Sequence, residues 1–144
     1  MDYEILPHIG AGPIRFGMTM DEVRQAVGEP PRVFRKAKDS TCTTDSFSKC
    51  IHVFYRTPGV CTAVEFYEPA RPFLGDRLFA GRPYAEVAEW LMQQDPNPDV
   101  DGAGLISRQL GMSLYAPGHL EDPNEPIEAV LVFEDGYYER DYRV

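Results

Sequence analysis

The amino-acid sequence predicts an α+β domain in which two tandem α-β-β-β units form one antiparallel sheet, with helices on one face and the other face partly open. Three observations predict this fold: a helix-start motif that occurs twice, a similar series of strand-like segments after each copy, and alternation of polar and apolar residues along those segments. The 144 residues suffice for one domain with a substantial core. We expect a single domain over 1–144, with a first unit at 13–68, a linker at 69–77 and a second unit at 78–135.

The first copy of the motif predicts a helix that begins after Thr19. Residues 17–23 align with residues 81–87, and three of the seven positions are identical. Glu22 follows Thr19 by three residues, which is the spacing of a capping box. Gly28, followed by two prolines, is expected to end the helix.

The second copy predicts a helix that begins near Pro83, a residue suited to the first turn. Val87, Trp90 and Leu91 form its apolar stripe. The Asp-Pro pair at 95–96 is expected to end it.

Three segments rich in β-branched and aromatic residues follow each predicted helix. In the first unit these predicted strands are 32–35, 50–56 and 61–68, and in the second they are 105–109, 112–116 and 127–134.

Alternation along these strands predicts which residues face outward. Because an unpaired buried charge is costly, we expect the carboxylates to mark the open face. The residues assigned to that face are Glu65, Tyr67, Tyr115, Glu128, Val130, Val132 and Glu134. The C-terminal tyrosines belong either to a final edge strand or to a contact patch, and Tyr67 and Tyr115 could also simply cover pleated surface. The predicted partner-binding residues are Glu65, Tyr67, Tyr115, Glu128, Glu134, Tyr137 and Tyr138.

The net charge of −9 is concentrated in the second half of the chain. Residues 1–72 hold nine basic and nine acidic side chains, whereas residues 73–144 hold five and fourteen. This charge repels nucleic acid and anionic membranes and attracts basic proteins. Maintenance of solubility is the simpler explanation of the same acidity.

A metal, cofactor or catalytic site would require a recognisable motif among the remaining residues. Three cysteines spaced C-x7-C-x10-C do not form a zinc motif, and the acidic turn at 95–102 lacks the glycine and glutamate register of a calcium loop. No nucleophile elbow or dinucleotide fingerprint occurs, so the sequence identifies no catalytic residue, metal or cofactor. The low, odd cysteine count, the lack of an apolar span and the lack of a signal segment predict a cytoplasmic protein.

The segment 14–23, Ile-Arg-Phe-Gly-Met-Thr-Met-Asp-Glu-Val, followed by Val-Gly-Glu-Pro at 27–30, resembles the opening of outer-membrane-assembly lipoproteins of the SmpA/OmlA type. With its second copy, the chain is similar to the β-lactamase-inhibitor-protein architecture, in which two such units form one concave sheet that grips an enzyme. The resemblance covers about 17 residues directly. It implies a relative without the lipid-attachment cysteine, signal peptide or disulfides of those proteins, which binds a partner with its sheet.

We therefore expect a non-catalytic cytoplasmic binding protein, best described as an immunity-type inhibitor of a basic toxin or enzyme. Two alternatives remain open. One is a small-molecule-binding domain with a pocket between the sheet and the Tyr-rich C-terminal segment, and the other is a small enzyme whose residues the sequence does not identify. The oligomeric state is not indicated.

Overall fold

The computed structural model describes residues 2–35 and 42–138 and confirms an α+β fold. In chain order, the elements of these residues are β1 Asp2–Leu6, β2 Gly10–Ala11, β3 Ile14–Arg15, α1 Met20–Val27, β4 Arg32–Phe34, β5 Thr44–Phe47, β6 Ile51–Arg56, β7 Val60–Tyr67, β8 Arg71–Leu74, β9 Arg77–Leu78, α2 Tyr84–Gln94, β10 Asp99–Asp101, β11 Gly104–Ser107, β12 Met112–Tyr115 and β13 Ala129–Phe133. Neither helix in this part of the chain has the length and apolar character needed to cross a bilayer.

The larger sheet has eight antiparallel strands in the order β10-β11-β12-β13-β7-β6-β5-β4. Helix α1 precedes the four strands of one half, and α2 precedes the four strands of the other. The two halves meet where β13 pairs with β7, with Leu131 opposite Glu65.

The expectation of one sheet is wrong, because five further strands form a second, mixed sheet in the order β3-β2-β1-β8-β9. Its parallel pair joins β1 to β8, with Tyr3 opposite Pro72. The segment 69–77, expected to be a linker, therefore contributes β8 and the first residue of β9. Most of these strands are too short to produce a recognisable periodic pattern, and the pair β1–β8 that joins them into one sheet connects segments about 70 residues apart.

Each half of the large sheet also contains one strand that the sequence did not predict. Strand β5 carries Asp45, which is completely buried, and β10 consists of three exposed residues at the sheet edge. Aspartate is depleted in strands, so neither segment resembles one by composition. Asp45 can be buried in β5 because Arg24 and Tyr55 both donate hydrogen bonds to its carboxylate.

The predicted capping box of α1 is confirmed. The Glu22 backbone N–H donates to the Thr19 hydroxyl, and the Thr19 backbone N–H donates to the Glu22 carboxylate. Gly28 ends the helix with φ of 85°, a left-handed conformation that a side chain would strain.

The start of α2 differs from the prediction, because Pro83 occupies the N-cap position and supplies no side-chain cap. The free N–H groups of Tyr84 and Ala85 instead donate to the carbonyl oxygens of Glu125 and Pro123 in a loop. Tertiary contacts thus satisfy the helix end that lacks a local cap.

One face of the large sheet is sealed by the main hydrophobic core. Buried residues of both helices and of β1 to β3 belong to the same cluster as the side chains of this face. Val53, Val64, Val132 and Met112, which are cross-strand partners in a single row, are all fully buried.

The expectation that Val130 and Val132 belong to the open face is therefore wrong. Both have 0% exposure and pair with the buried residues Phe66 and Val64. The alternation of residues 127–134 predicts the wrong face because it includes Glu128 and Glu134 as outward-facing members of the strand. In the structure β13 ends at Phe133 and begins at Ala129, so both carboxylates lie just outside its ladder.

Candidate functional site: a groove on the second face of the sheet

The second face of the large sheet includes half-buried and exposed side chains, beside a small buried cluster formed by Phe54, Ala63, Phe133 and Tyr137. We call this second face the open face; its residues on the central strands are His52, Glu65, Tyr67, Leu131, Ser113 and Tyr115. His52, Glu65, Leu131 and Ser113 are successive cross-strand partners and form one continuous row. Side chains in such a row are close enough to act together on a bound group.

A hydrogen-bonded cluster occupies the first-half end of this row. His52 Nε2 lies 2.9 Å from the Tyr67 hydroxyl oxygen, and His52 Nδ1 lies 3.4 Å from Glu65 Oε1. When the neutral imidazole carries its proton on Nδ1, Tyr67 donates to Nε2 and the Nδ1–H points to Glu65. Burial, with an added contribution from Cys50, raises the pKa of the Tyr67 phenol, which favours its role as the donor.

Aromatic rings surround the His52 imidazole. The ring centroids of Tyr67, Phe34 and Phe54 lie 5.0, 5.5 and 6.4 Å from it, each nearly perpendicular to its plane. Edge-to-face contacts of this kind fix ring orientations and add to the stabilisation from burial. The imidazole and its neighbours are therefore held in one arrangement.

The C-terminal tyrosines form a wall beside this cluster. Gly136, with φ of 82°, makes a turn after β13, and the Tyr137 N–H donates to the Glu134 carbonyl. The rings of Tyr137 and Tyr138 lie 5.6 and 5.0 Å from that of Phe133. This packing places both tyrosines above the sheet.

The result is an open groove of about 480 Å³ between the sheet and the Tyr-rich segment. Its lining residues are Phe34, His52, Phe54, Glu65, Leu131, Tyr137 and Tyr138. The first four belong to the first half of the large sheet, and the others belong to β13 or follow it. The groove therefore lies over the junction of the two halves.

Glu65 gives the groove its charge. Among the described residues that line the groove, it is the one with a carboxyl side chain. The Arg108 guanidinium lies 5.8 Å from the centre of the Tyr138 ring and forms an ion pair with Asp99. A cation thus already lies over one of the aromatic rings that line the groove.

The structure brings together four of the seven predicted site residues. Glu65, Tyr137 and Tyr138 line the groove, and Tyr67 contacts His52 beside it. Tyr115 lies on the same face, where Ala129 is the strand neighbour of both Tyr67 and Tyr115.

The two remaining predicted residues lie away from the groove. Glu128 is exposed and precedes β13. The Glu134 carboxylate is paired with the Arg56 guanidinium, 2.9 Å away, and contributes with burial to raising the pKa of the Cys61 thiol.

Four groove residues were not predicted from the sequence: Phe34, His52, Phe54 and Leu131. A signal for two of them was present, because His52 and Phe54 share one side of a predicted strand. Recognising them required the register that places His52 opposite Glu65, which the sequence pattern does not provide.

Within residues 2–35 and 42–138, no three His, Cys, Asp or Glu side chains are grouped as metal ligands would be. Searches against models of known families, curated proteins and solved structures find no match to this chain. The functional argument therefore depends on the geometry of the groove and the open face.

Proposed function

We propose that this chain is a non-catalytic cytoplasmic binding protein that recognises a basic protein through the open face, as an immunity-type inhibitor of a toxin or enzyme does. The observation that carries the proposal is the contrast between the two faces. One face has a row of valines with no exposure. The other face combines the partly exposed Glu65 carboxylate with aromatic residues that are half-buried or exposed, Phe34, Tyr67, Tyr115 and Tyr138, beside a small buried cluster that includes Phe54 and Tyr137. Aromatic residues in rigid, partly desolvated settings dominate the energetics of protein interfaces.

The size of the large sheet suits such a partner. Eight strands about 4.8 Å apart span roughly 34 Å. A square patch of roughly 800 Å², the area that each protein contributes to a standard interface, has an edge of about 28 Å, so the sheet is wide enough for one. The open-face side chains project from paired strands, so a partner would meet a surface that needs little ordering.

The arrangement of the two halves supports the same interpretation. Each half consists of a helix followed by four strands, and we interpret the halves as duplicated units joined at β7 and β13. The similarity to the β-lactamase-inhibitor-protein architecture stays a prediction, and the presence of two helix-plus-strands halves in one sheet supports it. The net charge of −9 would accelerate the encounter with a basic partner.

The test titrates the full chain with a basic toxin domain, purified in an inactive form. We expect a stable complex whose association rate falls about tenfold or more between about 0.02 M and 0.5 M salt. Tyr115→Ala, which removes a ring that is 47% exposed on the open face, should raise Kd about tenfold. Met92→Ala removes an apolar side chain that is 40% exposed on α2, and it should leave Kd unchanged. Failure of the toxin domain to bind, or an equal effect of both substitutions, would refute the proposal.

A second candidate function is the binding of a small molecule in the groove. The observation that favours it is a volume of about 480 Å³, which falls within the range of small-ligand sites, roughly 300–1,000 Å³. A metabolite that protects the free protein against thermal unfolding, and fails to protect Leu131→Arg, would support this candidate.

A further inference from the structure

We infer that the groove receives one arginine side chain of the basic partner, with its guanidinium bound by the Glu65 carboxylate and stacked on the aromatic wall. This inference rests on the proposed function and specifies the chemistry of the contact. It assigns a role to the charged residue of the groove and to the aromatic residues around it.

The first argument is that the Glu65 carboxylate retains acceptor capacity. Its ionic contact within the described residues is with His52, at 3.4 Å, which is longer than a strong hydrogen bond of about 2.7–3.2 Å. The Glu65 side chain is 32% exposed, so an incoming group can reach it. An ionised carboxylate accepts about four hydrogen bonds, and a guanidinium can donate two in parallel.

The second argument is that the walls suit a planar cation. The half-buried rings of Phe34 and Tyr138 line the groove around the carboxylate, together with the largely buried rings of Phe54 and Tyr137. A guanidinium stacks on such rings and is less strongly hydrated than an ammonium, so a half-buried aromatic groove favours arginine over lysine. The Arg108 guanidinium 5.8 Å from the centre of the Tyr138 ring is an example of this contact within the chain.

The third argument is that, among the described residues, Glu65 forms no ion pair with an arginine or a lysine. Arg108 is paired with Asp99, and Arg56 with Glu134. Arg32 belongs to the same cross-strand row as Glu65 but is separated from it by the strands of Ser46 and His52, roughly 14 Å between Cα atoms. Within residues 2–35 and 42–138, the ion-pair contact of the Glu65 carboxylate is therefore with His52, which leaves acceptor capacity for a cation from a partner.

The experiment is a nuclear magnetic resonance titration of the full chain with N-acetyl-arginine methylamide. The uncharged citrulline analogue, which has nearly the same shape, is the matched control. We expect saturable shifts at the backbone amides of His52, Leu131 and Tyr138 with arginine, and none with citrulline. Equal shifts with both compounds would overturn the inference, because they would show stacking without charge recognition.

Two variants test the role of the carboxylate. Glu65→Gln should raise the Kd for the arginine analogue about tenfold, whereas Glu89→Gln, a matched change at an exposed position of α2, should have no effect. Leu131 is the cross-strand partner of Glu65, so Leu131→Arg places a guanidinium beside the carboxylate and should abolish binding of the added analogue. Retained dispersion of the resonances shows that this variant is still folded. Unchanged binding by either Glu65→Gln or Leu131→Arg would overturn the inference.

The same experiment separates this inference from the proposed function. A toxin domain that binds equally well to wild type and Glu65→Gln would refute the arginine contact and leave the open-face interface standing. Binding of the arginine analogue without binding of the toxin domain would refute the proposed function. If the analogue binds only after Arg140→Gln and Arg143→Gln are combined, the chain's own C-terminal arginines occupy the groove, and the assignment to a partner is wrong.

Discussion

Arg24 of α1 donates two hydrogen bonds of 2.9 Å to the two carboxylate oxygens of Asp45, a residue of β5 with no exposed surface. The Tyr55 hydroxyl donates a third, 2.8 Å long, to the same carboxylate. This contact ties the first helix to the first half of the large sheet through a charge that has no access to water.

We predict that Asp45→Ala lowers the free energy of unfolding by about 3 kcal/mol or more, because it leaves Arg24 and the buried Tyr55 hydroxyl without their acceptor. Denaturation in urea measures the change. Arg24→Met should cost more than Asp45→Ala, since it leaves the fully buried Asp45 carboxylate without its cation, whereas the Arg24 side chain left by Asp45→Ala is 32% exposed and can be hydrated. The reverse order would show that the Tyr55 hydroxyl alone is enough to hold the buried carboxylate.

The capping box of α1 predicts a smaller effect. Thr19→Ala removes the acceptor for the Glu22 backbone N–H and should cost about 1 kcal/mol, measured by thermal or urea unfolding. Thr19→Ser keeps the hydroxyl and should retain most of the stability. Pro83→Ala is the control at α2, where loop carbonyls satisfy the helix start, and it should lose less than Thr19→Ala.

Adjacent residues of β13 test the assignment of the two faces. Val132→Asp places a charge in the sealed core and should prevent folding, because an unpaired buried carboxylate costs several kcal/mol. Leu131→Asp places the same group on the half-exposed face and should yield a folded protein. Circular dichroism and size-exclusion chromatography distinguish the outcomes. A folded Val132→Asp beside an unfolded Leu131→Asp would mean that the faces are inverted.

The three free cysteines differ in their expected reactivity. Burial, with a smaller contribution from Glu134, raises the pKa of the Cys61 thiol to about 12, so at neutral pH it holds its proton more firmly than an ordinary thiol. We predict that Cys42 and Cys50, which are half-buried, react with a thiol reagent in the native protein, whereas Cys61 reacts only after unfolding. Mass spectrometry of labelled peptides measures the sites. Rapid native labelling of Cys61 would show that its surroundings open readily.

The helices and most strands of the large sheet could be predicted because their signals are local. Thr19 and Glu22 form the capping box that their spacing predicts, and the strands β6, β7 and β12 agree to within one residue at each end with the segments rich in β-branched and aromatic residues. Strand β5 could not be recognised, because Asp45 is tolerated only through its contacts with Arg24 and Tyr55. Pairing between distant segments likewise escaped detection, as in the second sheet.

The groove illustrates the same limit. Glu65 and the C-terminal tyrosines were singled out by residue type, but their contact with His52 and Leu131 depends on register across three strands. The sequence pattern assigns the residues of β13 to the wrong faces because it includes Glu128 and Glu134, which lie just beyond the ends of the strand. The ends of a strand are the residues at which its hydrogen-bonded ladder stops, and side-chain polarity does not determine which residues those are.

The location of the groove over the junction of β7 and β13 has an evolutionary consequence. The carboxylate and the phenylalanines belong to one half of the large sheet, while Leu131 and the tyrosines come from β13 and the segment after it. Substitutions in the Tyr-rich segment can therefore reshape one rim of the groove while the acidic rim stays intact. A lineage of such proteins could diversify its choice of target by drift in a short terminal stretch, without disturbing the scaffold beneath.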